Sequence, residues 1–501
     1  MGLWRKARRL GAAVLAATTL GAAGLLPAAA IAAPATSPSP FAIRGVIEGY
    51  YGLSWTLPET KAVLAFMGAH GMNTFVYAPK FDPYQRNQWQ DLYPAAQLRT
   101  IAAMVAAARR DHVRFVYSLS PGLSIVYSSP ADRAAVEAKF AQLRSIGVHD
   151  FMLSFDDVSY NLKWPADQRI YHGSISLAQV ALTNAIYAAE IRVDPSFQLM
   201  FTPTDYWGAQ PGIYFTHISR LNPAIDIIWT GPGVVSPTIT AANAEAIARL
   251  IGRPPLIWYN YPVNDWTVPQ PEFNNPATMQ PQDMFLGPVR GLAPNLGPHV
   301  RGVLSNPMLE PYASEVPLAT LADYLNHPAT YNPVASWRAA IAAVAGPLAG
   351  PFTVFARALS PYPEILPVNR WYWTTTDATV DGGEAQVLAA YARNPATLGR
   401  LPAMATLRAT FSAWVADAPA LSRLPNPALS AEIAPWVAWM PREGTYGLEA
   451  LGLLRDLAAG NSAAAAAARA RVQADAAALA KAPVQFGGHL GSFLTRVAAL
   501  S

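Results

Sequence analysis

The sequence predicts an α/β protein, a (β/α)8 TIM-like barrel followed by an all-helical C-terminal domain. Eight short β-rich runs alternate with amphipathic stretches over about 265 residues, which fits the size and strand count of such a barrel. The tail beyond residue 383 is rich in alanine, which favours helices. A doubly wound open sheet is the rival architecture. It needs a glycine-rich phosphate loop after its first strand, and GYYG is not one.

The N-terminal segment has a basic, an apolar and a small-residue part in succession. Arginine and lysine side chains at positions 5 to 9 precede an apolar run over 10–26, and small residues continue to Ala33. This order is typical of a secretory signal peptide, which we predict over residues 1–33. An uncleaved membrane anchor is the alternative, although Ala and Gly insert weakly. We expect a secreted or periplasmic protein without membrane association after cleavage, and a disordered Pro/Ser linker over 34–40.

The predicted catalytic barrel covers residues 41–310. The interval over 264–300 is proline-rich and weakly helical, so the seventh crossover is expected to be irregular. Helical spacing of apolar residues predicts crossover helices over 60–70, 98–110, 131–146, 177–192 and 239–251. The predicted strands are 42–48, 74–78, 114–118, 150–155, 197–202, 225–229, 255–259 and 301–304.

The predicted helical accessory domain covers residues 311–501. The run NSAAAAAARARVQADAAALAKA has little besides alanine to bury, which suits close packing of helices in a bundle. No motif with chemical meaning is apparent in this domain. Its predicted helices are 318–324, 336–344, 384–393, 407–418, 430–440, 447–458 and 462–481.

Composition excludes several classes of function. The net charge of +4 is small and dispersed, so it gives no reason to expect a nucleic-acid partner. The absence of cysteine excludes disulfides, thiol nucleophiles and cysteine-ligated metals. The 8 histidines show no spacing typical of metal ligands, so we predict neither a metal nor a cofactor. The oligomeric state is not predictable from the sequence.

Polar and aromatic side chains follow almost every predicted strand. In barrels of this type the reacting groups come from the C-terminal ends of the strands and the loops beyond them. Seven of the eight runs pass from apolar residues into Asp, Asn, Lys, Tyr or Trp. We therefore expect a polar site at the C-terminal mouth of the barrel.

Two adjacent carboxylates, Asp156 and Asp157, end the apolar fourth strand. Their placement is electrostatically costly unless they have a role, and neighbouring side chains on a strand point to opposite faces. We expect the two acids to have different environments and different pKa values, with burial keeping one of them protonated near neutral pH. The dipeptide alone also allows a helix cap or a site for a divalent cation. Aromatic and amide residues at the other strand ends favour a sugar site.

Motifs spanning the whole barrel resemble glycoside hydrolase family 84, the O-GlcNAcase and hyaluronidase-like β-N-acetylglucosaminidases. The matching stretches, in chain order, are GVIEGYYG, GMNTFVYAPKFDPY, FVYSLSPGL, FMLSFDD, FTPTDYWG, IIWTGP, PLIWYNYPVND and GVLSNP. The combination is highly specific, whereas the helical tail resembles the family's accessory region only in kind.

The resemblance implies a retaining exo-β-N-acetylglucosaminidase in which the 2-acetamido group of the substrate is the nucleophile and an oxazoline is the intermediate. It implies that Asp156 orients the acetamido N–H, and that Asp157 is the general acid and then the base. The implied partner is a glycan or glycoprotein that contains N-acetylglucosamine.

The resemblance also implies a set of sugar-binding residues. Tyr206 would hydrogen-bond near the acetamido group, Trp258 would wall the pocket for its methyl group, and Gly49 would offer its backbone carbonyl. Lys80, Asn260, Asp265 and Asn306 would bind hydroxyls or the acetamide. Each has a structural alternative: core packing for Trp258, rim packing for Tyr206, a surface charge for Lys80, a loop cap for Asp265 and a turn for Asn306.

The sequence departs from the family motifs at two places, and two alternative functions are open. Leu53-Ser54 and Phe81 stand where the family often has Arg-Pro and an acidic residue, which leaves the preferred leaving group open. An endo-acting hyaluronidase would share these motifs and differ in the shape of the cleft. A non-catalytic barrel that binds N-acetylglucosamine is the other alternative, and the intact acid pair argues against it.

Overall fold

Eight parallel strands close into a barrel in the computed structural model, which describes residues 39–269, 279–362 and 376–501. Each strand pairs with the next along the chain, and the last pairs with the first. The predicted (β/α)8 fold is thereby confirmed, and the open-sheet alternative is excluded. The strands are β1 Ile43–Glu48, β2 Thr74–Tyr77, β3 Arg114–Leu119, β4 Asp150–Ser154, β5 Gln198–Thr202, β6 Asp226–Trp229, β7 Leu256–Tyr259 and β8 Gly302–Ser305.

Helices follow most of the strands and surround the barrel. Two helices lie between β4 and β5, whereas the described part of the crossover from β7 to β8 contains only short 3-10 helices, which agrees with the irregular crossover expected there. The eighth helix packs against the first helix and the last strand, so it completes the outer ring. The ring contains α1 Leu57–Ala69, α2 Ala95–Arg110, α3 Pro130–Arg144, α4 Pro165–Ile170, α5 Ile175–Val193, α6 Ile213–Ile218, α7 Ala241–Ile251 and α8 Pro311–Asn326.

Local sequence signals fix the helix ends. At the start of α7 the Thr240 hydroxyl accepts from the Asn243 backbone N–H at 3.1 Å, and the Asn243 side chain accepts from the Thr240 N–H at 2.9 Å. This reciprocal cap satisfies two backbone donors that the helix cannot bond itself. The helix ends at Gly252, whose φ of 76° is the left-handed conformation that glycine adopts most easily.

The C-terminal region is helical, and one of its helices differs from the prediction at Pro441. A break was expected between 440 and 447, yet one helix runs through Pro435 and Pro441. Glu443 and Gly447 are buried there, and a Cβ on Gly447 would lie 2.5 Å from the Phe411 ring. Tight packing against the neighbouring helix thus offsets the local cost of proline. The elements are α9 Pro333–Ala345, α10 Ala349–Ala358, β9 Pro361–Tyr362, β10 Thr376–Asp377, α11 Ala378–Arg393, α12 Pro402–Leu421, α13 Pro427–Ala458, α14 Ser462–Leu479 and α15 Leu490–Ala498.

One set of alternating residues fills the inside of the barrel. Side chains on a strand alternate between its two faces, so inward positions recur every second residue, while the others pack against the helices. The same alternation continues past the strand ends and directs particular residues into the mouth of the barrel. The barrel-filling residues are Ile43, Ile47, Val76, Ala78, Val116, Met152, Met200, Ile228, Leu256, Trp258 and Leu304.

The predicted signal peptide, residues 1–33, lies outside the described residues. Of the expected linker, Ser39 belongs to the folded part, where its hydroxyl donates to the Leu325 carbonyl at 2.7 Å. Within the described residues the stretch Pro333–Ala358 has a mean hydropathy of 1.7 and the length to cross a membrane. Buried helices of folded proteins meet the same criterion, and Trp337 and Phe355 are buried here.

Candidate active site

All nine residues predicted for the site line one cavity of about 300 Å³ at the C-terminal mouth of the barrel. The alternation of the strands explains how several of them meet. Asp156 lies four residues after the inward-facing Met152, and Asn306 lies two residues after Leu304. The nine are Gly49, Lys80, Asp156, Asp157, Tyr206, Trp258, Asn260, Asp265 and Asn306.

An ion pair between Lys80 and Asp156 forms one side of the cavity. The Lys80 ammonium group donates to Oδ2 of Asp156, and the two side chains are only 3% and 8% exposed. Lys80 is therefore not a surface charge. The other carboxyl oxygen, Oδ1, is buried and accepts no hydrogen bond from any residue in the described ranges. A buried acceptor without a donor is costly, so this oxygen is suited to an N–H group of a ligand.

Asp157 turns into the same cavity because its backbone leaves the strand conformation. Its φ of 54° is left-handed, which is uncommon for residues other than glycine and is tolerated best by Asp and Asn. The two acids thus share one cavity, although alternation along a strand predicts opposite faces. Their surroundings still differ, since Asp156 is buried and Asp157 lies at the exposed rim.

Two phenols bind the Asp157 carboxylate. The Tyr51 hydroxyl donates to Oδ2 at 2.8 Å, and the Tyr206 hydroxyl donates to Oδ1 at 2.9 Å. Burial raises the pKa of both phenols, so they remain donors at neutral pH. Loss of hydration acts to raise the Asp157 pKa, but the Lys80 ammonium and the two phenols outweigh it. The Asp157 pKa therefore lies below its ordinary value, so burial alone does not keep this carboxyl protonated.

Trp258 and Gly49 pack directly against each other in the wall of the cavity. A Cβ on Gly49 would lie 2.3 Å from Cζ2 of Trp258, so only glycine fits at this position. The Trp258 indole N–H donates to Oδ1 of Asn260 at 2.8 Å, and the Asn306 amide donates to the same oxygen at 3.0 Å. The Asn306 carbonyl oxygen accepts from the Gly49 N–H at 3.2 Å. The side-chain amides of Asn260 and Asn306 therefore hold the Trp258 ring and the Gly49 backbone in a fixed orientation.

Asp265 joins the loops after β1 and β7. Its Oδ2 accepts from the Tyr51 backbone N–H at 2.8 Å, so it caps a loop and also lines the cavity. Burial raises the Asp265 pKa to about 6, although the backbone donors of Tyr51 and Trp266 act against that rise. Asp265 is mainly ionised at neutral pH and is an acceptor suited to sugar hydroxyls.

Sequence reasoning did not assign two residues that the structure places at the site. Tyr51 was part of a quoted motif, and its alternation with Gly49 could have revealed its position. Arg86 donates to the Tyr51 hydroxyl at 3.1 Å and lies 5.4 Å from the centre of its ring. Nothing in the sequence pattern around Arg86 indicates this role. Cavity-lining residues that we had not singled out for binding are Tyr51, Thr202, Thr230, Val234, Val235, Val263 and Trp266.

The two alternatives for the acid pair do not match this geometry. The next helix, α4, begins at Pro165 and is preceded by Trp164, so neither aspartate caps it. Asp156 is paired with a lysine rather than grouped with other acids. Within the described residues, no group of three or more His, Asp or Glu side chains is placed to hold a metal ion.

A family comparison agrees with a sugar site that pairs two acids at the end of the fourth strand. The model of the beta-N-acetylglucosaminidase family matches residues 44–357, which include the whole barrel. The chain belongs to this family, glycoside hydrolase family 84. The predicted membership in a glycoside hydrolase family is thereby confirmed.

Relatives of this beta-N-acetylglucosaminidase family member share the barrel region. The protein O-GlcNAcases of Rattus norvegicus and Mus musculus are each 33% identical over 287 residues, which is 56% of this chain and 29% of theirs. The chain therefore matches less than a third of the length of these relatives. A mutant of the O-GlcNAc hydrolase of Thermobaculum terrenum has a similar structure, with a TM-score of 0.81 and 27% identity. That match covers 92% of this chain and 95% of the other.

Proposed function

We propose that the protein is a retaining exo-β-N-acetylglucosaminidase that releases terminal β-linked N-acetylglucosamine from a glycan or glycoconjugate. The proposal rests mainly on two acids that line the same sugar-sized cavity. Oδ1 of Asp156 is buried and accepts no hydrogen bond from the described residues, whereas the Asp157 carboxylate faces solvent. Family membership supports the same reaction class.

The first step is placement of the sugar. The 2-acetamido methyl group would lie against Trp258, and the ring hydroxyls would bind Asp265 and the amides of Asn260 and Asn306. The Gly49 backbone carbonyl would bind the sugar, and glycine is required there because a Cβ would collide with the Trp258 ring. These polar groups are held by one another before the sugar arrives, which reduces the entropic cost of binding.

In the chemical step the acetamido carbonyl oxygen attacks C1 of the sugar. Asp156 accepts a hydrogen bond from the acetamido N–H through Oδ1 and stabilises the positive charge that develops on the amide, while Lys80 holds Oδ2. As the C1–O bond to the leaving group breaks, Asp157 donates a proton to the departing oxygen. The acetamido nitrogen keeps its proton, so the product of this step is a protonated oxazoline, an oxazolinium ion whose positive charge faces the Asp156 carboxylate in the cavity.

In the second step Asp157 removes a proton from water, and the resulting hydroxide attacks C1 on the face that the leaving group vacated. The oxazoline C1–O bond breaks, the acetamido group is restored, and the β configuration is retained. Asp157 lies at the rim, where both the leaving group and water can reach it.

Protonation of Asp157 must depend on the bound sugar. Tyr206 donates to Asp157, and it is the residue that we place near the acetamido group. When this hydroxyl donates to the sugar instead, the Asp157 carboxylate loses one of its stabilising bonds. The sugar also displaces water from the cavity, and both changes raise the Asp157 pKa towards the range a general acid needs.

Exo action is favoured over endo cleavage by the shape of the cavity. It lies directly above the residues that fill the barrel, and Trp258 belongs to both groups. A cavity closed below suits a terminal sugar, whereas an endo enzyme needs a cleft that a chain can cross. Sizing the products from hyaluronan separates the two, because monosaccharide release indicates exo action and oligosaccharides indicate endo action.

The decisive experiment measures hydrolysis of a chromogenic β-N-acetylglucosaminide, with the β-N-acetylgalactosaminide epimer alongside. Wild-type protein is expected to cleave the first, and Asp156→Asn and Asp157→Asn to lower kcat by about 100- to 10,000-fold. A matched control is Asp194→Asn, whose carboxylate pairs with His149 at the opposite end of the barrel. Sugar binding without turnover by the wild type would favour a non-catalytic binding barrel.

We also propose that the protein is exported through the N-terminal segment over residues 1–33. The support is the succession of basic, apolar and small residues in the sequence. N-terminal sequencing of protein recovered outside the cytoplasm should begin near Ala33. An intact N-terminus on membrane-bound protein would support an anchor instead.

A further inference from the structure

Glu432, in helix α13 of the C-terminal region, contacts the barrel at the first turn of α8. Its carboxyl oxygens accept from the backbone N–H groups of Tyr312 at 3.2 Å and Ala313 at 2.8 Å. Helix α8 begins at Pro311, which has no N–H, and the preceding Glu310 does not cap the helix with its side chain. Glu432 therefore supplies, from α13, the cap that the local sequence of α8 lacks.

The Glu310 side chain is directed towards the active-site loop instead. Its Oε2 accepts from the side-chain amide of Asn264 at 2.8 Å. The side-chain oxygen Oδ1 of Asn264 accepts from the Leu309 backbone N–H at 3.1 Å. Asn264 is fully buried and directly precedes Asp265. The turn formed by Leu309 and Glu310 thus fixes the residue next to a sugar-binding carboxylate.

The same turn supports the loop after β1. The Trp55 indole N–H donates to the Leu309 carbonyl at 3.1 Å, and a Cβ on Gly52 would lie 2.7 Å from the Leu309 side chain. This loop carries Tyr51, whose N–H binds Asp265 and whose hydroxyl binds Asp157. One turn therefore supports both loops that meet at the Tyr51 to Asp265 hydrogen bond.

We propose that Glu432 is a positioning residue for the active site. By capping α8 it fixes the Leu309 and Glu310 turn, and through that turn it holds Asp265 and Tyr51 in the geometry that binds sugar. The C-terminal helices are then a part of the active-site support and do more than cover the barrel. The kinetic consequence rests on the proposed function, whereas the positioning itself does not.

Glutamine is the variant closest to the native residue at this position. Burial raises the Glu432 pKa to about 8, although its two backbone donors act against the rise. The raised pKa favours the neutral carboxyl group, which resembles a glutamine amide in shape. Glutamine also keeps one acceptor oxygen. Glu432→Gln should therefore retain one of the two cap hydrogen bonds, whereas Glu432→Ala removes both.

The test compares these variants with Glu384→Ala as a matched control. Glu384 is a buried glutamate of α11 whose electrostatic neighbours, Asp381 and Arg496, both lie in the C-terminal helices. Backbone hydrogen exchange is measured over residues 49–56 and 262–268, with 121–129 as an internal reference. Kinetics on an aryl β-N-acetylglucosaminide are measured in parallel.

We expect Glu432→Ala to accelerate exchange in the first two segments only and to raise KM about 3- to 30-fold. The value of kcat should change less, and Glu432→Gln should give exchange rates and a KM between those of the wild type and Glu432→Ala.

Equal exchange in these loops for Glu432→Ala and Glu384→Ala would overturn the proposal, whatever the activity. An unchanged KM in an active Glu432→Ala protein would also overturn it. Should Glu432→Ala fail to fold, Glu432→Asp, which shortens the side chain by one methylene, decides the question by the same two readouts. Absence of hydrolysis by the wild type would contradict the proposed function alone, because the exchange comparison would still test the positioning.

Discussion

The Lys80 ammonium group and Oδ2 of Asp156 form a buried ion pair beside Oδ1 of the same carboxylate, which accepts from no residue in the part of the chain that the structure describes. A buried pair contributes little net stability, but removing one partner leaves an uncompensated charge and is strongly destabilising. Stability and catalysis therefore depend on this pair in different ways, and variants can separate them.

Lys80→Met is expected to lower the free energy of unfolding by about 3–5 kcal/mol, because Asp156 then lies buried without its cation. The double variant Lys80→Met, Asp156→Asn should regain most of that stability, since the charge is gone as well. It should remain inactive, because the oxygen arrangement that binds the acetamido group is lost. Urea unfolding measures the first effect, and a single-variant cost below about 1 kcal/mol would contradict a buried pair.

Tyr51→Phe should raise the Asp157 pKa. The substitution removes one of the two phenol hydrogen bonds that favour the ionised carboxylate, while leaving the ring in place. Because the general acid must be protonated, the alkaline limb of the kcat/KM profile should move to higher pH. Tyr187→Phe, at a residue packed against Phe197 outside the cavity, is the control. A limb that stays in place or moves to lower pH would show that Tyr51 does not set the pKa of the acid.

Gly49→Ala should abolish most sugar binding. The added methyl group would lie 2.3 Å from the Trp258 ring, so either the loop or the cavity wall must shift. The matched control is Gly452→Ala within α13, where a Cβ would meet no atom within 4 Å. That change should raise stability by about 0.5–1 kcal/mol and leave kinetics unchanged. Wild-type KM in the Gly49 variant would show that the wall tolerates a side chain.

Buried carboxyl groups predict that stability falls as pH rises. Burial raises the Glu384 pKa to about 9, and Asp381 adds to the rise while Arg496 opposes it. The folded state therefore keeps a proton that the unfolded state releases near its ordinary pKa of 4.5, so the unfolding free energy falls between those values. Glu384→Gln should flatten this slope and raise Tm by at least about 3 °C at pH 9, with a smaller gain at pH 6. An equal effect at both pH values would contradict the protonation account.

The barrel and the location of its site could be predicted because short-range patterns decide them. Alternation along each strand fixes which residues face inward, so Met152 in the barrel also places Asp156 in the mouth. The continuity of helix α13 escaped prediction because a proline such as Pro441 usually ends a helix, and long-range packing of Gly447 on Phe411 explains that continuity.

The chemistry of the site was less predictable than its position. The state of Asp157 depends on a left-handed turn and on two phenols that lie 106 and 49 residues away along the chain. The support from Glu432 depends on a contact 119 residues away. Neither relationship leaves a periodic signal in the sequence, since both arise from the tertiary fold.

Fluorine substitution on the acetamido methyl group tests most directly whether the substrate's own amide is the nucleophile. The measurement is kcat/KM for aryl β-glucosaminides that carry acetamido, fluoroacetamido, difluoroacetamido and trifluoroacetamido groups. Fluorine withdraws electrons from the carbonyl oxygen, so the rate should fall at each step along the series. A rate that does not change with the number of fluorines would contradict attack by the amide.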